Sequence, residues 1–295
     1  MRAAVIRDEV LVVEERPDPV AGEGEVLIRV RAAGINKADL LQRAGHYPPP
    51  PGAPVDVPGL ECAGEVVGSG ARVIALLGGG AHAELAVVDE RHTLPVPDGV
   101  DWPAAGGFME AFATAHDALF TQAVLQPGER LLVTGAAGGV GTAAVQLGVA
   151  LGALVTGMTR SNAERVRELG AATEPEGEYD VILELVGGDN LRADVERLAP
   201  RGRLAVIGTG AGARAEINFG YVMRKRARIH GSTLRYRDAD EKAEVIGRLR
   251  RDVLPLLAAG RVRVPVHATY PLERAQEAYD AFAVPGKFGK LVLLM

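Results

Sequence analysis

The sequence predicts an α/β protein of two domains, one β-rich and read as a partly open barrel, the other a doubly wound parallel sheet. Three observations carry this reading. The chain has 295 residues, enough for two domains of ordinary size. Its first hundred residues alternate short β-rich runs with Gly and Pro punctuation, whereas from about Thr114 strands alternate with helical stretches of ten or more residues. Hydrophobic residues make up 47% and charged residues 24%, the balance of a globular chain rather than a disordered one.

The early strands are read at Ala3 to Ile6, Val10 to Glu14, Glu25 to Ala32, Glu65 to Val67, Arg72 to Leu77 and Ala83 to Val88. Gly22-Glu23-Gly24 and Pro97-Asp98-Gly99 supply turn signals between them. In the second domain Arg130 to Gly135 reads as a buried strand, Gly139 to Leu151 as a helix, Ala153 to Thr159 as a strand and Asn162 to Leu169 as a helix. Asp180 to Val186, Leu204 to Gly208 and Arg228 to Leu234 follow as strands. Helical periodicity returns at Asp238 to Ala259 and Leu272 to Phe282, before a terminal strand at Lys290 to Leu294.

Charge and cysteine usage narrow the function classes. The net charge of −5 offers no global positive field for a phosphate backbone, so nucleic acid is not the expected partner. A single cysteine, Cys62, excludes an intramolecular disulfide and a Cys-rich zinc lobe, and suits a reducing, cytoplasmic compartment. Charge arrives too early at the N-terminus for a secretory leader, and no apolar run reaches the roughly 18 residues of a membrane span. The basic run Arg224-Lys225-Arg226-Ala227-Arg228 reads as a solvated helix end before a strand.

The motif with the most chemistry follows the strand at Arg130. There Gly135-Ala136-Ala137-Gly138-Gly139-Val140-Gly141 runs into a helix, an A-x-G-x-x-G version of the dinucleotide fingerprint. Gly138 allows the backbone to approach a pyrophosphate and Gly141 allows helix and strand to pack closely, with the helix N-terminus facing the negative charge. Strand, turn, helix and second strand stand in the order the motif demands. NAD-binding versions carry Asp or Glu at the end of the second strand. This chain has Thr159-Arg160-Ser161-Asn162 there, a guanidinium with hydroxyl neighbours that suits a 2′-phosphate, so NADPH is the expected cofactor.

The chain resembles the zinc-free medium-chain dehydrogenase/reductases of the quinone oxidoreductase family. The resemblance is carried by Ala33-Gly34-Ile35-Asn36-Lys37-Ala38-Asp39-Leu40, Arg43-Ala44-Gly45-His46-Tyr47-Pro48-Pro49-Pro50, Pro58 to Val66, the glycine loop, Val186-Gly187-Gly188, Arg228 to Leu234 and Gly289-Lys290-Leu291-Val292-Leu293. It implies a GroES-like catalytic domain at residues 1–112 and 252–295, interrupted by a Rossmann cofactor domain at 113–251. It further implies cofactor contacts at Ala136, Ala137, Gly138, Gly139, Val140, Gly141, Thr159, Arg160, Ser161, Gly187, Gly208, Thr209 and Lys290, and a homodimer through the edge strand Arg228 to Leu234. Two departures stand out. The barrel loop is abbreviated to Gly68-Ser69-Gly70-Ala71, and between Ala171 and Asp180 a short polar link replaces a helix and a strand, which is expected to thin one edge of the sheet.

Zinc-dependent relatives place a cysteine near Asn36 and a histidine where this chain has Leu60, so no catalytic metal is expected. Without a metal, hydride needs an acceptor that tolerates negative charge through conjugation, such as a quinone or an activated enone. The resemblance makes Asn36 and Tyr47 the candidate donors to the developing oxyanion. His46 reads as an exposed loop residue and Glu61 as a buried barrel contact. The expected function is NADPH-dependent reduction of a quinone-like acceptor. Reduction of an enoyl-thioester or another α,β-unsaturated carbonyl is the first alternative, and an NADPH-binding sensory or structural protein with little turnover is the second.

Overall fold

The computed structural model describes all of residues 1–295 and divides by packing into two units, Met1–Ala113 with Leu234–Met295, and Thr114–Thr233. The strands in chain order are β1 Arg2–Arg7, β2 Val10–Glu15, β3 Glu25–Gly34, β4 Glu61–Val66, β5 Arg72–Leu76, β6 Leu85–Asp89, β7 Thr93–Pro95, β8 Arg130–Thr134, β9 Leu154–Met158, β10 Tyr179–Glu184, β11 Leu198–Val206, β12 Arg228–Gly231, β13 Val266–Pro271 and β14 Lys290–Leu294.

In the first unit seven strands form one sheet, in the order β13-β14-β3-β4-β5-β7 with β6 also on β3, and β1 and β2 form a separate hairpin. Period-two alternation in β3 turns Ile28 and Val30 inward, onto Cys62, Val73, Ala75 and Ala86. The shortened loop survives as a tight β4–β5 hairpin closed by Val66 N–H to Ala71 O at 2.9 Å. Helix Lys37–Arg43 starts where Asp39 caps it, its Oδ2 accepting from Asn36 N–H at 2.7 Å.

The chain returns to this unit at Leu234, not at residue 252. Helix Ala239–Asp252, expected in the cofactor domain, packs on β7 and the short helical turn before it. His92 Nε2 donates to Ala239 O at 2.8 Å, Arg91 to Asp240 at 2.6 Å, and Arg250 to Thr93 O at 2.9 Å. The helical stretch expected from Asp238 to Ala259 breaks at Val253, and a second helix, Leu254–Ala258, begins with Pro255 in its first turn.

The second unit is a five-stranded parallel sheet in the order β12-β11-β10-β8-β9. β8 and β10 are central, and their apolar runs Leu131–Val133 and Val181–Leu183 are wholly buried, as strands covered on both faces must be. The thinned edge is present. Where a further strand would lie beside β9, the chain makes a single parallel bridge, Thr156 to Ala172, and then leaves the sheet. The opposite edge, β12, ends at Gly231 rather than Leu234. Helices Asn190–Arg197 and Phe219–Lys225 are additional to those expected. No helix is long and apolar enough to cross a membrane.

Candidate functional site

The glycine-rich turn sits at the C-terminal end of β8 and opens helix Gly139–Leu151. A Cβ on Gly141 would lie 2.3 Å from Gly135 O and 2.7 Å from Ala136 Cα, so only glycine permits this approach of helix to turn. A Cβ on Gly138 would meet only Gly135 O, at 3.4 Å. The protein's own packing therefore does not demand glycine there, which leaves room beside the turn for a ligand. The first intrahelical bond is Thr142 N–H to Gly138 O at 2.8 Å, which leaves the amides of Gly139, Val140 and Gly141 as first-turn donors at the positive end of the helix. This cradle fits a pyrophosphate. Two substitutions separate the roles: Gly138→Ala folds normally but weakens NADPH binding about tenfold or more, whereas Gly141→Ala destabilises the unit itself. Calorimetric titration and thermal unfolding of both variants check this.

Thr159, Arg160 and Ser161 follow β9. Thr159 Oγ1 donates to Ser161 O at 2.6 Å and accepts from Ser161 N–H at 3.3 Å, which closes the turn and leaves Arg160 exposed at its tip. Asn162 makes no side-chain cap on the short helix that follows. After β10 and β11, Gly187 lies against Thr209, since a Cβ on Gly187 would come within 2.6 Å of Thr209 Cα, and Gly208 presses on Leu185. The Gly187 amide is engaged within the chain. Buried Glu184 accepts through Oε1 from Val186 N–H at 2.5 Å and Gly187 N–H at 2.6 Å. Burial and the Glu184 carboxylate push the neighbouring Asp194 carboxyl up to about 9. The structure thus gathers every expected cofactor residue except Lys290 along the C-terminal edge of one parallel sheet, where doubly wound folds bind ligands.

Lys290 is in the other unit, and its ammonium is committed there. Nζ donates to Glu61 Oε1 at 2.5 Å, Asn36 Oδ1 at 2.6 Å and Ile35 O at 3.1 Å, using all three hydrogens. Lys290, expected at the cofactor, forms a buried ion pair with Glu61. Glu61 is fully buried and also accepts from Asn36 Nδ2 at 2.9 Å and Glu110 N–H at 2.9 Å. Asn36 is therefore fixed on both ends of its amide. Its second N–H, 3.5 Å from Gly34 O, is the one left for another acceptor.

Tyr47 lies on the loop after helix Lys37–Arg43. Arg235, almost wholly buried, holds that loop by donating to Tyr47 O at 3.1 Å, Gly78 O at 3.0 Å and Gln42 Oε1, and its guanidinium stacks 5.1 Å from the Tyr47 ring centre. The Tyr236 ring packs edge-on at 5.0 Å and its hydroxyl donates to Pro48 O at 3.0 Å. His46 is exposed. Beneath Asn36 lies a buried polar layer. Asp39 Oδ1 accepts from Gly59 N–H at 3.0 Å, while His82 is bonded by Nε2 to Gly34 O at 3.2 Å and by Nδ1 to the Tyr279 hydroxyl at 2.9 Å. Burial pushes the His82 pKa down, so the ring is neutral, with Nε2 donating and Nδ1 accepting.

Sequence reasoning placed Glu110 in a helix that resembles the family's crossover helix but gave its carboxyl no acid–base role. Its carboxyl is pushed up to about 8, first by burial and then by Glu61, against the opposing charge of Lys290. At neutral pH it carries a proton. The unfolded chain loses that proton near 4.5, so the group's stabilising contribution is complete below about 4.5 and is lost as pH rises to about 8. Within that window stability falls by about 1.4 kcal/mol per pH unit from this group alone. Denaturant unfolding of Glu110→Gln across the same range is expected to lack this slope; an unchanged slope assigns it elsewhere.

Residues 160–293 match a family model described as zinc-binding dehydrogenase, and residues 22–98 match the alcohol dehydrogenase GroES-like domain. The donors present do not fit the metal that the first description names. No group of three His, Cys, Asp or Glu is placed to hold one, Lys290 is the cation on Glu61, and burial pushes the Cys62 thiol up to about 12. The chain is 31% identical to the quinone oxidoreductase of Rattus norvegicus, over 94% of this chain and 91% of that protein. It is 30% identical to the quinone oxidoreductase of Pseudomonas aeruginosa, over 97% and 96%. The solved quinone oxidoreductase of Thermus thermophilus, a study that includes its complex with NADPH, matches over the whole of both chains at 32% identity and a TM-score of 0.88. With this fold and these relatives, the chain belongs to the quinone oxidoreductase family of medium-chain dehydrogenase/reductases.

Proposed function

We propose that the protein is an NADPH-dependent, zinc-independent reductase that passes a hydride to a quinone-like acceptor. The observation that carries this reading is the cradle at Gly138 to Gly141, with room for a ligand at Gly138 and first-turn amides beside it. Likeness to a quinone oxidoreductase solved with NADPH supports it. When bound, NADPH supplies the hydride from its nicotinamide ring. The amides of Gly139, Val140 and Gly141 hold the pyrophosphate, and Arg160 with Thr159 and Ser161 holds the 2′-phosphate. Conjugation in the acceptor carries the incoming charge, which Tyr47 and the remaining Asn36 N–H stabilise by donating to the carbonyl oxygen.

Arg160→Ala is expected to lower the preference for NADPH over NADH about tenfold or more, read from kcat/KM with each cofactor. An unchanged ratio removes Arg160 from the 2′-phosphate. Oxidation of NADPH by ortho-quinones, para-quinones and short enones, followed in parallel, tests the acceptor class. Quinone turnover supports the reading, and turnover with enones alone replaces it with enone reduction. We also propose a cytosolic homodimer joined through the outer edge of β12, whose inner edge alone is paired within the chain. A monomeric mass by light scattering at micromolar concentration contradicts the dimer.

A further inference from the structure

The arginine-rich run at Arg224–Arg228 has no part in the proposed reduction, yet it helps to line a cavity of about 380 Å³ within the second unit. That volume lies in the range of small-molecule sites. β11 and β12 pair with Arg203 opposite Arg228 and Ala205 opposite His230, so the two-residue period places Arg228 and His230 on one face. Arg201 and Arg226 add two further guanidinium groups to the lining.

The charges in this lining differ in how they are satisfied. Arg203 is neutralised by Glu129, at 2.9 and 2.6 Å, and donates to Ala123 O at 2.9 Å. Arg201, Arg226 and Arg228 are exposed and enter no ion pair. His230 Nε2 is buried without a hydrogen-bond partner. Arg201 and Arg226 also hold left-handed backbone, with φ of 67° and 51°, a conformation that costs a non-glycine residue about 1 kcal/mol or more and that collects at ligand clamps. The cavity lies toward the N-terminal ends of β11 and β12, whereas the glycine-rich turn lies at the C-terminal edge of the same sheet.

Three uncompensated guanidinium groups around one concavity create a local positive field in a protein of net charge −5, and their planar forks match phosphate oxygens. We propose that this cavity binds a small oligophosphate anion of the diphosphate class, at a site separate from the dinucleotide cradle. The site stands independently of the reductase reading.

Pyrophosphate is the probe, titrated calorimetrically into the full-length protein with and without saturating NADPH. One saturable site is expected to remain under saturating NADPH, which fills the glycine-rich cradle where pyrophosphate also fits. Arg226→Gln combined with Arg228→Gln weakens it by about 30-fold or more, while Arg192→Gln, a charge change elsewhere on the same unit, leaves it within about twofold. Thermal unfolding of the double variant should match wild type, because both side chains are exposed. Lack of saturable binding, equal affinity in the double variant, or complete displacement by NADPH, which places the anion at the glycine-rich turn, each overturns the proposal.

Discussion

Lys290→Met is expected to lower the stability of the protein by about 3 to 5 kcal/mol, read from urea unfolding. The reason is what it leaves behind. Glu61 is fully buried, and its carboxylate is balanced by the Lys290 ammonium at 2.5 Å, with hydrogen bonds from Asn36 and Glu110 N–H. Removing the cation strands a charge in the barrel interior, which is far more costly than removing the pair together. Lys290→Met combined with Glu61→Gln should therefore recover most of the loss, since the amide keeps an acceptor for Glu110 N–H without a net charge. The same double variant separates structure from cofactor binding. Its NADPH affinity should equal wild type if Lys290 acts only on Glu61, and a lost affinity in a folded double variant would return Lys290 to the cofactor. A neutral effect of Lys290→Met alone would mean that Glu61 is not the buried anion described here.

Tyr47→Phe is expected to reduce kcat by about 10²–10³, with little change in NADPH affinity or stability. Phenylalanine keeps the ring between the Arg235 guanidinium and the edge of Tyr236, and the loop carbonyls stay bonded to Arg235. The hydroxyl alone is lost, so the change reads transition-state stabilisation rather than loop position. Near-unchanged turnover on every acceptor would remove Tyr47 from the chemistry and leave it as a packed loop residue.

Much of this was legible where local sequence decides local structure. Gly135 to Gly141 could be read because strand, tight turn and helix are adjacent, and Gly141 answers a close approach to Gly135 and Ala136 a few residues earlier. The missing strand beside β9 was legible because the link after Ala171 is too short and polar to form one, and the single bridge at Ala172 is its trace. What escaped depends on distance along the chain. Lys290 meets Glu61 across 229 residues, and Arg235 reaches Tyr47 across 188. Neither pairing leaves a periodic or compositional mark, so Lys290 resembled a cofactor ligand and Arg235 drew no attention. Helix Ala239–Asp252 was placed in the wrong unit for a similar reason. Its amphipathic pattern shows that it packs, but its partner is fixed by β7 and by His92 and Arg91, more than a hundred residues earlier. Glu110 was hidden because its proton affinity comes from burial beside Glu61, a property of the folded barrel and not of the segment around it.

The most direct test of NADPH-dependent hydride transfer is an anaerobic stopped-flow mixing of the protein and NADPH with an ortho-quinone, following nicotinamide absorbance and hydroquinone formation together. The expected result is loss of NADPH matched one for one by hydroquinone, faster than with NADH. Tight binding of NADPH with no oxidation by any quinone would contradict it and leave a dinucleotide-binding protein without this catalysis.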